Sequence, residues 1–449
     1  MTDRPEKPDV LGSLSKKFKQ MTADMTQKTP EVERAFFQAV INNSTDAVLN
    51  ILGAGFDPNA YNREGQTALH VAVLSNAVAV GRLLIERGAN PLLGRRDNPV
   101  HTPLEDAINF NKPEMVELLV RKGGYDLQGS KADCWSLLHR ACEKGQTRAV
   151  ELLLQAGANC NETTGNGSTP LLIAARCGHI ELVRLLLQFP AVTGEMNTHF
   201  INTDARRRTA FQFAVDRGRA PLVAVMIAKG AAVNGRDAEG KPPLLYAIEN
   251  GNLALVRLLA ESAADLNASH ESHGTPLAHA CVTDAIDDEM RAGMVDLLIR
   301  MGADTDIPAP EGNMTPLHLI FKNRQSIEAL AALLRYPVNT EICCATGETP
   351  LMLAAMKNAV YVAMLLKAGA NVNARSSVDA RTPLIQAVIH NKPAIVETLL
   401  KAGANPKLCD GHGKSAMSYA REKGQSDIIK LLELALQGTR SKQIIPPPG

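Results

Sequence analysis

The triplet Gly413-Lys414-Ser415 has the residue types that end a phosphate-binding loop. Such a loop cradles phosphate with backbone N–H groups, reaches it with the lysine and holds magnesium with the hydroxyl. It also needs a glycine five residues before the last one, and Leu408 stands there. The cradle is therefore missing, and no nucleotide site is expected. Cys134, His139 and Cys142 are close enough in sequence to suggest zinc. They lack the paired Cys-x-x-Cys spacing of structural zinc sites, and no metal is expected. Cys343-Cys344 read as packing residues. Asp287 and Asp288 could supply paired carboxylates, but they fall in a loop, which is a poor holder for acid–base chemistry. Neither Gly-x-Ser-x-Gly nor His-Glu-x-x-His occurs. No constellation joins a nucleophile, a base and an orienting group, so neither catalysis nor a cofactor is expected.

The elements that hold these residues follow a period. A tetrapeptide close to Thr-Pro-Leu-His begins at Thr67, Thr102, Ser136, Thr169, Thr209, Pro242, Thr275, Thr315, Thr349, Thr382 and Ser415. The spacing is 33 to 35 residues except at two steps of 40, Thr169 to Thr209 and Thr275 to Thr315. A fixed period of this length marks a row of stacked supersecondary units rather than a domain with one central core.

Each unit reads as two short helices. In the unit at Ser136, the serine is a good N-cap, Leu137 to Lys144 form a first helix and Gly145 ends it. Thr147 to Gln155 form a second helix, which Gly157-Ala158-Asn159 ends. Pro103, Pro170, Pro276, Pro316, Pro350 and Pro383 stand at the first helical position, where a missing N–H costs nothing. His139, like His70 and His318, is the histidine of the motif and is expected to bridge backbone groups.

These motifs, in register over residues 31–437, resemble the ankyrin-repeat family. The resemblance implies an all-α solenoid of about twelve stacked helix-turn-helix units with projecting hairpin fingers: eleven motif-bearing repeats behind an atypical first unit, Glu31 to Asn59. It implies that first helices and fingers line a concave face, and that the partner is another protein. It also implies that the residue just before each motif Thr or Ser is exposed on a finger. That places Trp135, the only tryptophan, and Arg208 among the candidate contacts. Trp and Arg are over-represented among interface hot spots. The long step after Thr169 carries His199 and Phe200, followed by Arg206, Arg207 and Arg208, and should lengthen a finger. Phe110, Lys144 and Arg217 stand at the ends of first helices and complete the candidate partner-binding set. The insertion in the second long step falls at Thr283 to Arg291 and reads as an acidic loop between helices.

Composition narrows the function classes. The net charge of +1 gives no global field to draw nucleic acid or a membrane surface. No apolar run is long enough for an integral membrane helix. The 8 cysteines lack regular spacing, which fits a reducing compartment. The polar start lacks an apolar signal core, so the expectation is a cytoplasmic protein, or delivery elsewhere by a route with no cleavable signal peptide. Residues 1–30 precede the array. Leu11, Leu14, Phe18, Met21 and Met25 follow helical spacing beside Lys16, Lys17 and Lys19, a weakly basic amphipathic pattern capable of peripheral membrane contact. Residues 438–449 read as an extended tail. The expected function is a non-catalytic protein–protein interaction scaffold. The alternatives are an effector or membrane-proximal adaptor targeted by the N-terminal helix, and a regulatory or inhibitory subunit of a separate enzyme.

Overall fold

The computed structural model describes residues 30–127, 135–189, 208–272, 274–322 and 326–441. They fall into two compact units, one within residues 1–205 and one within 206–449.

The first unit holds five helix pairs among its described residues. They are α1 (Pro30–Ile41) with α2 (Thr45–Gly53), α3 (Ala68–Leu74) with α4 (Val78–Glu86), α5 (Pro103–Asn109) with α6 (Pro113–Lys122), α7 (Leu137–Glu143) with α8 (Thr147–Gln155), and α9 (Pro170–Cys177) with α10 (Ile180–Leu186). The second unit holds seven. They are α11 (Ala210–Asp216) with α12 (Ala220–Ala228), α13 (Pro243–Glu249) with α14 (Leu253–Glu261), α15 (Pro276–Val282) with α16 (Asp288–Arg300), α17 (Pro316–Lys322) with α18 (Ile327–Leu333), α19 (Pro350–Ala355) with α20 (Ala359–Lys367), α21 (Pro383–Ile389) with α22 (Pro393–Lys401), and α23 (Ala416–Glu422) with α24 (Ser426–Ser441). Each unit is a row of stacked helical hairpins.

The motif residues start and stop these helices as their chemistry dictates. Thr169 Oγ1 accepts the Leu172 N–H at 3.2 Å, and Thr275 Oγ1 accepts the Ala278 N–H at 3.2 Å. Gly145 ends α7 at φ 70, and Asn111 fills the same place after α5 at φ 54. Both residue types reach the left-handed region at low cost. Five residues after the motif Thr, one small residue recurs. Ala72, Ala107, Ala141, Ala174, Ala214, Ala247, Ala280, Ala354, Ala387 and Ala420 are all fully buried, and Ile320 takes the place in the remaining repeat. A methyl group there lets neighbouring first helices pack closely.

Two sets of polar contacts recur between neighbouring layers. In the first, His70 Nδ1 accepts the Thr67 N–H at 3.2 Å, while Nε2 lies 2.9 Å from the carbonyl of His101 in the following finger. His139 spans Ser136 and the Glu162 carbonyl in the same way, and His318 spans Thr315 and the Glu348 carbonyl. Gln212 does the job with an amide: its Oε1 accepts from Thr209 at 2.8 Å and its Nε2 donates to Gly235 at 2.8 Å. The second set is a ladder at the ends of the second helices. Asn59 Oδ1 accepts the Asn90 N–H at 2.7 Å in the first unit. In the second, Asn234, Asn267, Asp306, Glu341 and Asn373 accept from Asp265, Asp304, Asn339, Asn371 and Asn405, one layer on.

Two boundaries differ from the sequence expectation. The acidic stretch is not all loop, because α16 begins at Asp288. Asp287 is its N-cap, accepting the Met290 N–H at 2.8 Å, and Asp288 and Glu289 complement the positive helix start. The extra residues thus lengthen a helix to 13 residues, and the short turn before it is pinned from below. Arg291 is fully buried and donates to the carbonyls of Ala280 at 3.3 Å and Ile286 at 3.1 Å. At the other end, α24 continues to Ser441, past the tail boundary at Gly438. One glycine costs a helix only about 1 kcal/mol relative to alanine, too little to stop it here.

Two outcomes are expected. Arg291→Ala orphans two buried carbonyls and should destabilise the second unit by on the order of 3 kcal/mol. Amide hydrogen exchange over residues 283–291 should accelerate ahead of the neighbouring layers. Burial lowers the pKa of His70, His139 and His318 below 6.5. The unfolded chain then binds protons at a higher pH than the folded one, so stability is complete above that value and falls as pH drops through the lowered folded-state values. Urea midpoints taken at about pH 7.5 and about pH 5.5 should show this fall, and replacing all three by Gln should flatten it.

Candidate functional site

The eleven residues just before the motif Thr, Ser or Pro do not behave as expected. None is exposed: Gln66, Ser168, Lys241 and Gly274 are buried, and the rest are half-buried. At His101, Arg208, Lys241 and Lys414 the side chain turns back onto its own first helix, which offers partners five and eight residues on. Lys241 lies over the Tyr246 ring at 4.1 Å and pairs with Glu249. Lys414 lies over Tyr419 at 5.5 Å and pairs with Glu422 at 2.8 Å. Arg208 lies over Phe213 at 4.1 Å and pairs with Asp216 at 3.3 Å. Arg208 therefore belongs to a packed cluster with its side chain only 14% exposed, rather than to an extended finger tip.

The lysine clusters extend to a finger aspartate. Tyr419 Oη donates to Asp410 at 2.6 Å, and Tyr246 Oη donates to Asp237. Burial acts to raise the Glu249 carboxyl, but hydrogen bonds from His279 and Lys241 outweigh it and hold the pKa at about 2. The Gly413-Lys414-Ser415 triplet thus has its ammonium engaged by a carboxylate and an aromatic face. Ser415 is the N-cap of α23.

The first unit holds a different arrangement. An open cleft of about 550 Å³ is lined by Asn109, Trp135, Arg140, Glu143 and Lys144. Two sequence candidates, Trp135 and Lys144, meet there. A third, Phe110, follows Asn109 as the C-cap of α5 and is 49% exposed. Trp135 sets its ring edge-on to His139, with centroids 6.0 Å apart at 62°. That imidazole is fixed by its own two hydrogen bonds, so it gives the indole a rigid support. Arg140 reaches back to Glu105 of the preceding layer at 3.5 Å. Lys144 caps the end of α7, is exposed and forms no ion pair among the described residues.

Arg217 is the exposed C-cap of α11 and belongs to the second unit. His199, Phe200, Arg206 and Arg207 lie outside the described residues, as do Cys134 and the amphipathic pattern of residues 11–25. Asn109, Arg140 and Glu143 were not singled out from sequence. Their signal was register: Asn109 and Glu143 stand seven residues after Thr102 and Ser136, and Arg140 four after Ser136. Among the described residues, no three His, Cys, Asp or Glu side chains converge as metal ligands. Both ring nitrogens of His139 are already committed to backbone and hydroxyl partners.

Comparison with known proteins agrees with this architecture. A family model described as ankyrin repeats in three copies matches successive stretches between residues 36 and 376, and one described as ankyrin repeats in many copies matches 365–420. Among curated relatives, the chain is 22% identical over 440 residues to the human transient receptor potential cation channel subfamily A member 1, covering 88% of this chain and 38% of that one. It is 28% identical over 237 residues to the mouse B-cell lymphoma 3 protein homolog, covering 50% of each. It is 26% identical over 306 residues to the bovine NF-kappa-B inhibitor zeta, covering 65% of this chain and 40% of that one. The chain thus spans half or less of the length of these relatives.

Proposed function

The chain belongs to the ankyrin-repeat family, and we propose that it acts as a non-catalytic scaffold that binds another protein along the inner face of its first helices. The observation that carries this reading is the cleft at Trp135 and Lys144. It offers a supported indole, an exposed ammonium and an exposed ring at Phe110 on neighbouring layers. Such a surface is preorganised, because Asn109, Arg140, Glu143 and Lys144 stand on packed helices or at their ends. Binding to it loses little conformational entropy.

The clusters at Lys241 and Lys414 support the same division of labour. Their charges are internally matched, so these two clusters suit a structural role. A second reading, a regulatory or inhibitory subunit, draws support from the likeness to the B-cell lymphoma 3 protein homolog and NF-kappa-B inhibitor zeta. A cytoplasmic site of action is part of the proposal. Among the described residues, no helix is long and apolar enough to cross a membrane.

Affinity purification from the native cell tests the reading. Trp135→Ala with Lys144→Ala should reduce recovery of the main protein partner. Loss of two central anchors of about 2 kcal/mol each weakens binding by several hundred-fold or more. Unchanged recovery by the doubly substituted chain would remove the cleft from the binding surface. If the recovered partner is an enzyme, its turnover with and without added scaffold separates the inhibitory reading from the plain one.

A further inference from the structure

The open surface of the first unit changes character along the row of layers. Ile41 ends α1 and is 49% exposed. Leu74 ends α3 and is 37% exposed, and Phe110 caps α5 and is 49% exposed. A single exposed apolar side chain is ordinary. Three at the ends of three consecutive first helices form a staggered row, Leu74 seven residues after its motif Thr and Phe110 eight. The next layer replaces that row with the Trp135 indole, the Arg140 guanidinium and the Lys144 ammonium. The layer after it carries Arg176 in the last turn of α9, seven residues after its motif Thr.

We infer that this groove takes an extended acidic–apolar peptide, with apolar side chains over Ile41, Leu74 and Phe110 and a carboxylate between Arg140 and Lys144. The inference rests on the scaffold reading and adds the chemistry and direction of the partner. Packed helices lie about 8–10 Å apart. An extended chain rises about 3.3 Å per residue, so roughly every third peptide residue meets a new layer. The groove therefore reads three apolar positions at three-residue intervals, then an aspartate or glutamate about three residues further on.

Charge complementarity selects the acidic end. The cleft lining holds two cations, Arg140 and Lys144, against one carboxylate, Glu143. Glu105 partly offsets Arg140, but Lys144 has no ion-pair partner among the described residues. The Trp135 ring, set edge-on to His139, lines the same cleft. A basic peptide would leave Lys144 facing a like charge. A nucleic-acid backbone would leave the Leu74 and Phe110 row uncovered.

Selection of a phage-displayed library of random 12-residue peptides on the purified full-length chain tests this. Enriched peptides are expected to carry apolar residues at three-residue spacing followed by Asp or Glu. The synthetic consensus peptide should bind the natural chain at least about tenfold more tightly than it binds Phe110→Asp or Lys144→Glu, as expected for central contacts. Changing its acidic residue to Lys should reverse the preference in favour of Lys144→Glu, a rescue that loss of folding cannot produce. Enriched peptides that are basic, or that bind both variants as tightly as the natural chain, overturn the inference and leave the scaffold reading standing. Absence of any enriched peptide overturns the scaffold reading for this groove as well.

Discussion

Within each unit, every layer can bury its apolar surface only against the layers beside it. No central core exists to absorb a misfit. The fully buried alanine five residues after the motif start is the sharpest expression of this constraint, because it fixes how closely first helices approach. The backbone obeys it too. The finger carbonyl of His101 is met by His70, one layer back, and the Asn90 amide by Asn59. Stability in such a row is a sum over layers and the joints between them. Side chains that take no part in the joints can then vary without endangering the fold.

Much of this architecture was legible because its signals are local and repeated. Thr169, Pro170 and Gly178 mark the start, first position and end of α9, and the structure puts a helix between them. Asp287 misled because an acidic residue can mark either a solvated loop or a helix start. The choice was made by Arg291, whose burial anchors the turn to two carbonyls. Gln212 escaped notice as a joint because the motif favours histidine, although a primary amide can offer the same acceptor and donor at the required spacing.

The candidate site was legible in part for a similar reason. Register identified Trp135 and Lys144 as lying toward one face, but not which long side chains fold back. A lysine before the motif looks free in sequence. At Lys241 and Lys414 it is held by a tyrosine five residues on and a glutamate eight residues on, a pairing that periodicity does not display. At Trp135 the order is inverted: the ring precedes and Arg140 follows five residues later. That inversion sends the cation toward Glu105 in the preceding layer and leaves a hollow beside the indole. The same position thus closes onto its own helix at His101, Lys241 and Lys414, and lines an open cleft at Trp135.

The stretch from Asp237 to Glu249 and the stretch from Asp410 to Glu422 carry aspartate, lysine, tyrosine and glutamate at the same intervals. Each is one module written twice. A module whose charges answer one another works as a blank tile: it stays hydrated and soluble while offering passing molecules little to grasp. Builders of artificial repeat arrays could set such tiles wherever a groove must stay silent, and so confine recognition to the layers left open.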